Sequence, residues 1–155
     1  MFAKGLVDIA YALQRQAWRV FRPKTRGVKI MLFNADGELV LIRNAYGSSD
    51  LFVFPGGGIR PFEKPAVAAV REVREELGLN VLDLRFRSQH FSSAEGKRDQ
   101  VFLFEGLIDR EPTIDNCEVR EARFVAMDRV PPATSAATRR RIEEYLGHQQ
   151  PDGVW

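Results

Sequence analysis

A chain of 155 residues, 45% apolar and 28% charged, is long enough to bury one core, and this excludes a disordered chain. Its apolar runs are too short to cross a membrane, and a net charge of +2 gives no case for nucleic-acid binding by bulk charge. A single cysteine, Cys117, excludes a disulfide within the chain and predicts a reducing, cytoplasmic setting.

Charge is uneven along the chain. Residues 1–30 carry seven Lys or Arg and one acid, so this segment is +6 and the rest is −4. Phe2, Leu6, Ile9, Leu13, Ala17 and Val20 recur at helical spacing, which predicts an amphipathic helix over about residues 4–20, ended by Pro23. Its arginines form either a solvated face or a surface for a polyanion or a second copy of the chain, giving a homodimer. Next, 28–33 and 39–42 are rich in branched and aromatic residues around Asn34-Ala35-Asp36-Gly37, the pattern of a β-hairpin. A short strand over 51–54 stops at Pro55, and three glycines follow. Pro65 suits a first helical turn and Gly78 a helix end, so a helix is expected over 65–77. Strands are expected over 82–91, 101–108 and 122–125, and a last helix, capped by Thr134 or Ser135, through Leu146. Strands and helices do not alternate regularly, and no linker divides the chain. The expectation is a single α+β domain over 1–155 with a mixed sheet. Cys117 is expected to be a small, buried or half-buried residue.

The stretch Arg71-Glu-Val-Arg-Glu-Glu-Leu77 sets three acids in the last turns of the helix. Carboxylates are unfavourable at a helix C-terminus, and like charges at i,i+3 and i,i+4 cost about 0.2–0.5 kcal/mol per pair. At about 100° per residue, Glu75 and Glu76 fall within about 60° of Glu72, on the side that carries Ala68 and Ala69. Val67, Val70, Val73 and Leu77 fall opposite and are expected to pack on the sheet. One account of the acidic side is a solvated face screened by Arg71 and Arg74. The other is a divalent cation held among the carboxylates. Clustered oxygen donors suit Mg²⁺ or Mn²⁺, whereas zinc favours His and Cys. His90 and His148 have no paired ligand spacing and are expected to be structural or solvent-facing.

The glycine run fits no P-loop, since Gly-Lys-Ser/Thr is missing, and no dinucleotide fingerprint, since Pro61 stands where glycine is needed. It does allow backbone to approach a ligand closely. Gly57 is followed by five residues and Glu63, and then by seven residues and Arg71-Glu72-Val73-Arg74-Glu75-Glu76-Leu77-Gly78-Leu79. Every fixed position of the Nudix box is filled, and the chain resembles the Nudix (MutT-like) superfamily over residues 57–79. The flanking hairpin and the "FPGGG" segment resemble the family as well.

That resemblance implies a Nudix fold, a mixed β-sheet sandwiched between α-helices. It also implies a magnesium-dependent (or manganese-dependent) pyrophosphohydrolase that cleaves a nucleoside diphosphate linked to another group. Glu72, Glu75 and Glu76 match the family's metal-ligand positions, and Gly56 matches a residue whose carbonyl can coordinate. Gly57, Glu63 and Gly78 match supporting positions, and Arg71 is the candidate to hold Glu63 or Glu75. The general base is either Glu72 or an acid from a later loop, where Glu118 and Glu121 stand and Glu118 is favoured as base or ligand. Arg43, Arg60, Lys97 and Arg98 are candidate phosphate contacts, and Phe52, Phe54 and Phe91 are either base-stacking or core residues. A proline past the box in some ADP-ribose hydrolases, and a tyrosine there in some dinucleoside polyphosphate hydrolases, have no counterpart among residues 93–96. Three functions stay open: hydrolysis of a small-molecule nucleotide, pyrophosphate removal at RNA 5′ ends, and nucleotide binding without catalysis.

Overall fold

The computed structural model describes residues 9–10, 13, 24–47, 50–93, 98–114 and 117–155. The helix expected over residues 4–20 lies outside the described residues, save for positions 9, 10 and 13, which are helical.

The apolar, β-branched run after Pro23 forms β1 (Lys24–Phe33), which turns back into β2 (Leu39–Asn44). Asn34 closes the turn: its Oδ1 accepts the amides of Asp36 (3.0 Å) and Glu38 (2.9 Å), and Gly37 takes the positive φ of 76° that the reversal needs. After the glycine loop comes α1 (Pro65–Leu77). It starts on Pro65, whose missing amide costs nothing there, and ends at Gly78 in the left-handed conformation, φ 64°. Then follow β3 (Leu82–Ser92), β4 (Arg98–Leu107), β5 (Val119–Val125), a 3-10 turn (Met127–Arg129) and α2 (Ala136–Tyr145). Ser135 caps α2 by accepting the Thr138 amide at 3.2 Å. Residues 51–54 make isolated bridges, Ile42 with Val53 and Phe52 with Thr134, rather than the full strand expected.

The five strands form one mixed sheet in the order β3-β4-β1-β2-β5. β1 and β4 run parallel; the other pairs are antiparallel. Alternation along β1 sends Val28, Ile30 and Leu32 into one core, with Ala69, Val73 and Leu77 of α1. Met31 and Phe33 go into the other, with Phe52, Phe54 and Ile142 of α2. Each fully buried branched or aromatic side chain contributes about 1.5–3 kcal/mol, so the two layers hold the helices on opposite faces. This is an α+β sandwich, as expected. Phe52 and Phe54 are core residues with no exposed surface, so they do not stack a ligand. Cys117 is exposed, contrary to expectation, because it lies in the loop just before β5.

The helix wheel needs a correction. The buried arc of α1 comprises Ala68, Ala69, Glu72, Val73, Glu76 and Leu77. Val67, expected against the sheet, is 56% exposed. The inner face is therefore rotated toward the carboxylates: Glu72 and Glu76 point inward, and Glu75 stays outside.

Candidate active site

The glycine loop is laid along β1 as a short extra strand. Val28 and Ile30 donate to the carbonyls of Gly57 (2.9 Å) and Pro55 (3.0 Å). Gly56 has φ 137°, and a Cβ there would collide with the carbonyl of Val28, so only glycine fits. A Cβ on Gly57 would lie 2.7 Å from the carboxylate of Glu72. The loop is thus the lid of a space whose other wall is the acidic face of α1.

Arg71 organises that wall. Its Nε and Nη2 donate to the two oxygens of Glu63, both at 2.8 Å, a bidentate pair. Nη1 donates to Glu72 (2.7 Å) and Glu75 (3.1 Å), and Nη2 also reaches the carbonyl of Gly58 (2.9 Å). The Arg71 guanidinium and the Arg60 amide hold the Glu63 carboxyl near 2, well below the usual range. Arg60 adds an ion pair to Glu75 at 3.2 Å.

Glu76 is in a different environment. Its Oε2 accepts the Gly56 amide at 2.8 Å. Burial pushes its carboxyl up to about 7, opposed by Lys29 and that hydrogen bond and reinforced by the charges of Glu72 and Glu118. Lys29, from β1, donates to the carbonyls of Phe54 (3.0 Å) and Gly56 (3.3 Å). Burial lowers its pKa, and the charges of Glu76 and Glu72 oppose that shift.

The structure therefore brings Glu72, Glu76, Glu63, Arg71, Gly56 and Gly57 together, with Glu75 and Arg60 at the rim. The Glu118 side chain, just before β5, is exposed and lies near enough to act on Glu76. Gly78 acts at a distance, as the cap whose amide meets Arg74 O at 3.0 Å. Arg43 is engaged elsewhere, with its guanidinium 4.3 Å from the Phe52 ring and its Nε 3.6 Å from Glu121. Arg98 stands at the start of β4, opposite Lys24, and Lys97 lies outside the described residues. His90 is buried and His148 exposed. Sequence reasoning passed over Lys29, although a lysine inside the apolar run Val28–Phe33 is itself a signal of a polar group facing a specific partner.

As the side chains stand, no three His, Cys, Asp or Glu among the described residues converge closely enough to hold a metal. Arg71 bridges Glu63, Glu72 and Glu75, and Lys29 engages the carbonyls of Phe54 and Gly56. The donor set nonetheless fits a hard cation: carboxylate oxygens and a backbone carbonyl, a cradle at Gly57 that a Cβ would fill, and in Glu76 a desolvated carboxyl.

Beside this wall lies a cleft of about 770 Å³, in the range of small-molecule sites. Lys24, Arg26, Lys29, Arg60, Phe62 and Trp155 are among its lining residues, together with Gly57 and Gly58.

Residues 23–146 match the family model described as NUDIX domain. The chain belongs to the Nudix family. An uncharacterized Nudix hydrolase of Pseudomonas aeruginosa is 33% identical over 107 residues, which is 64% of this chain and 62% of that protein. An RNA pyrophosphohydrolase of Gluconobacter oxydans is 45% identical over 56 residues, 36% of this chain and 33% of that protein. The chain thus spans under two thirds of the first of these curated relatives and a third of the second. Among solved structures, a MutT protein from Methanosarcina mazei has TM-score 0.71 at 22% identity, covering 84% of this chain and 99% of that one. A MutT NUDIX hydrolase from Burkholderia pseudomallei has TM-score 0.69 at 22% identity, covering 77% and 96%. At that identity the likeness concerns the fold, and it agrees with the mixed sheet between helices. No described helix is long and apolar enough to cross a membrane.

Proposed function

We propose that this Nudix protein is a magnesium- or manganese-dependent pyrophosphohydrolase acting on a nucleoside diphosphate linked to another group. The observation that carries the reading is the buried carboxylate wall of Glu72 and Glu76 under the glycine loop, beside a cleft lined by Gly57, Gly58, Lys24, Arg26, Lys29 and Arg60. Glu72, Glu75, Glu76 and the Gly56 carbonyl would hold the ion. Bound there, it would polarise phosphoryl oxygens and lower the pKa of water.

The chain's own residues supply the rest. Arg71 fixes Glu63, Glu72 and Glu75 in one arrangement, so that the wall is pre-organised. Lys29 ties β1 to the loop through two carbonyls. The cationic lining of the cleft attracts and orients phosphates. Glu118, exposed and close enough to act on Glu76, is the candidate to receive a proton from the attacking water, with Glu72 as the alternative.

The test is phosphate release from ADP-ribose, diadenosine polyphosphates, nucleoside triphosphates, nucleotide sugars and triphosphorylated RNA, with Mg²⁺ or Mn²⁺. Glu76→Gln should lower turnover by about 100-fold or more while leaving the fold intact. Wild-type activity in that variant would remove Glu76 from the reaction. The RNA reading draws on relatives named RNA pyrophosphohydrolase, and it requires binding that weakens steeply as salt rises.

A further inference from the structure

The cleft carries a residue that neither the motif nor the acid wall requires. Phe62 is 106% exposed and has φ 64°. A bulky side chain in the left-handed region is an outlier, and glycine or asparagine would adopt that conformation at lower cost. The backbone leaves it no alternative. The Arg60 amide donates to Glu63 Oε2 (2.9 Å), the Glu63 amide donates back to the Arg60 carbonyl (3.1 Å), and Arg71 clamps the Glu63 carboxylate from the other side. The ring gains nothing from burial, yet it lines the cleft together with Tyr46 and Trp155. Around these aromatics stand Lys24, Arg26, Lys29 and Arg60; the one acid in the lining, Asp99, takes the Thr25 hydroxyl at 2.8 Å. Cations alone would suit inorganic polyphosphate or a sugar phosphate. Cations beside an exposed aromatic carried on a constrained backbone suit an anionic ligand with a flat ring.

We propose that Phe62 is a specificity-determining residue on which the base of a nucleotide stacks while its phosphates face the glycine loop. The proposal rests on reading this cleft as the substrate site of a pyrophosphohydrolase, and it restricts that substrate to one carrying a base at the Phe62 end.

A matched pair of non-hydrolysable probes tests it: α,β-methylene-ADP, which has a base, and methylenediphosphonate, which has none. Each is titrated calorimetrically in magnesium into wild type, Phe62→Gly, Phe62→Leu and Phe62→Tyr. The glycine and leucine variants should bind α,β-methylene-ADP about ten-fold more weakly, a loss of about 1.4 kcal/mol, and the tyrosine variant should restore it. Methylenediphosphonate should bind all four alike, and the melting temperature of Phe62→Gly should hold or rise, since a strained position is relieved. Three results overturn the proposal: Phe62→Leu binding the nucleotide like wild type, Phe62→Gly losing both probes equally, or wild type binding the two probes equally well. The titration needs no turnover. If nothing in the phosphate-release panel is hydrolysed but the nucleotide still depends on Phe62, the hydrolase reading fails and the stacking role stands.

Discussion

Arg71 and Arg141 are both largely withdrawn from solvent, and the protein uses them in opposite ways. The Arg141 side chain is fully buried between α2, β3 and residues 152–155. Its Nη1 donates to His90 Nδ1 and to the Val154 carbonyl, both at 2.6 Å, and its Nη2 to Glu144 at 2.6 Å. Because His90 Nδ1 accepts, Nε2 carries the proton and donates to Ser88 at 2.7 Å. The amide of Phe91 meets Gly153 O and that of Trp155 meets Phe91 O, both at 2.9 Å, so the segment lies along the edge of β3 over the cluster. This cluster is closed around the guanidinium: both Nη atoms are paired within it and Nε is buried without a hydrogen-bond partner among the described residues, while Trp155, which packs on His90, lines the cleft on its other side. Arg71, by contrast, is shared by Glu63, Glu72 and Glu75, with Glu76 beside them, and the glycine loop that packs on Glu72 also lines a cationic cleft. Closed charge fixes the fold, whereas open charge is suited to receive another ion.

Loss of Arg141 should have the largest effect on the fold. Arg141→Leu should cost about 3–5 kcal/mol in urea unfolding, since it leaves buried Glu144 without its cation and His90 without its donor. An unchanged unfolding midpoint would mean that the cluster does not hold the fold.

A smaller effect separates the two regions by pH. Burial pushes Glu76 up from its ordinary 4.5 to about 7, and it pulls His90 down from 6.5 to about 4, with Arg141 adding to the second shift. Folded Glu76 keeps a proton that the unfolded chain has released. Its contribution is full below about 4.5 and is lost as pH rises to 7. Folded His90 stays neutral where the unfolded chain is charged, so its contribution is present above about 6.5 and is lost as pH falls toward 4. Between these limits the two oppose each other. In metal-free buffer, Glu76→Gln should lose stability on acidification from about pH 6.5 to 4.5, and His90→Gln should lose it on going the other way, each by about 2–3 kcal/mol. Wild type should change less than either. Parallel curves for wild type and Glu76→Gln would show that Glu76 titrates normally.

Metal sharpens the contrast at comparable or smaller size. At pH 8, magnesium at 100 times its dissociation constant should stabilise wild type by about 2.7 kcal/mol, and Arg141→Leu equally. Glu76→Gln should show less than half of that. Equal stabilisation of all three would place the bound ion elsewhere.

The open site was more legible in the sequence than the closed one. Pro65 and Gly78 bound α1 because each has a backbone reason to stand where it does, and the motif acids follow from their spacing. The rotation of α1 was not legible. A wheel treats carboxylates as outward-facing, whereas Glu76 is drawn inward by the Gly56 amide and Lys29, both distant in sequence. Arg141 lies in the run Arg139-Arg140-Arg141, and nothing local distinguishes it from its neighbours. Its burial depends on His90 and Val154, one from β3 and the other from the segment past α2. Contacts of that range leave no periodic trace. Phe62 reads as an ordinary loop residue until its φ is known.

The finest division runs between two adjacent glycines. A Cβ at Gly56 meets the carbonyl of Val28, which is backbone within the sheet and cannot yield, so Gly56→Ala should unfold the loop from β1. A Cβ at Gly57 meets only the Glu72 carboxylate, at 2.7 Å, and that group ends a flexible side chain. Glu72 can swing aside, but its new position breaks the 2.7 Å contact to Arg71 and removes a carboxylate from the wall. Gly57→Ala should therefore cost under about 1 kcal/mol in unfolding while lowering turnover about ten-fold or more. If it lost stability and activity in proportion, Glu72 would belong with Arg141 among the residues that hold the fold. A variant that melts like wild type yet turns over slowly, with a weakened response to magnesium, would place Glu72 among the groups whose position matters only when an ion and a phosphate arrive.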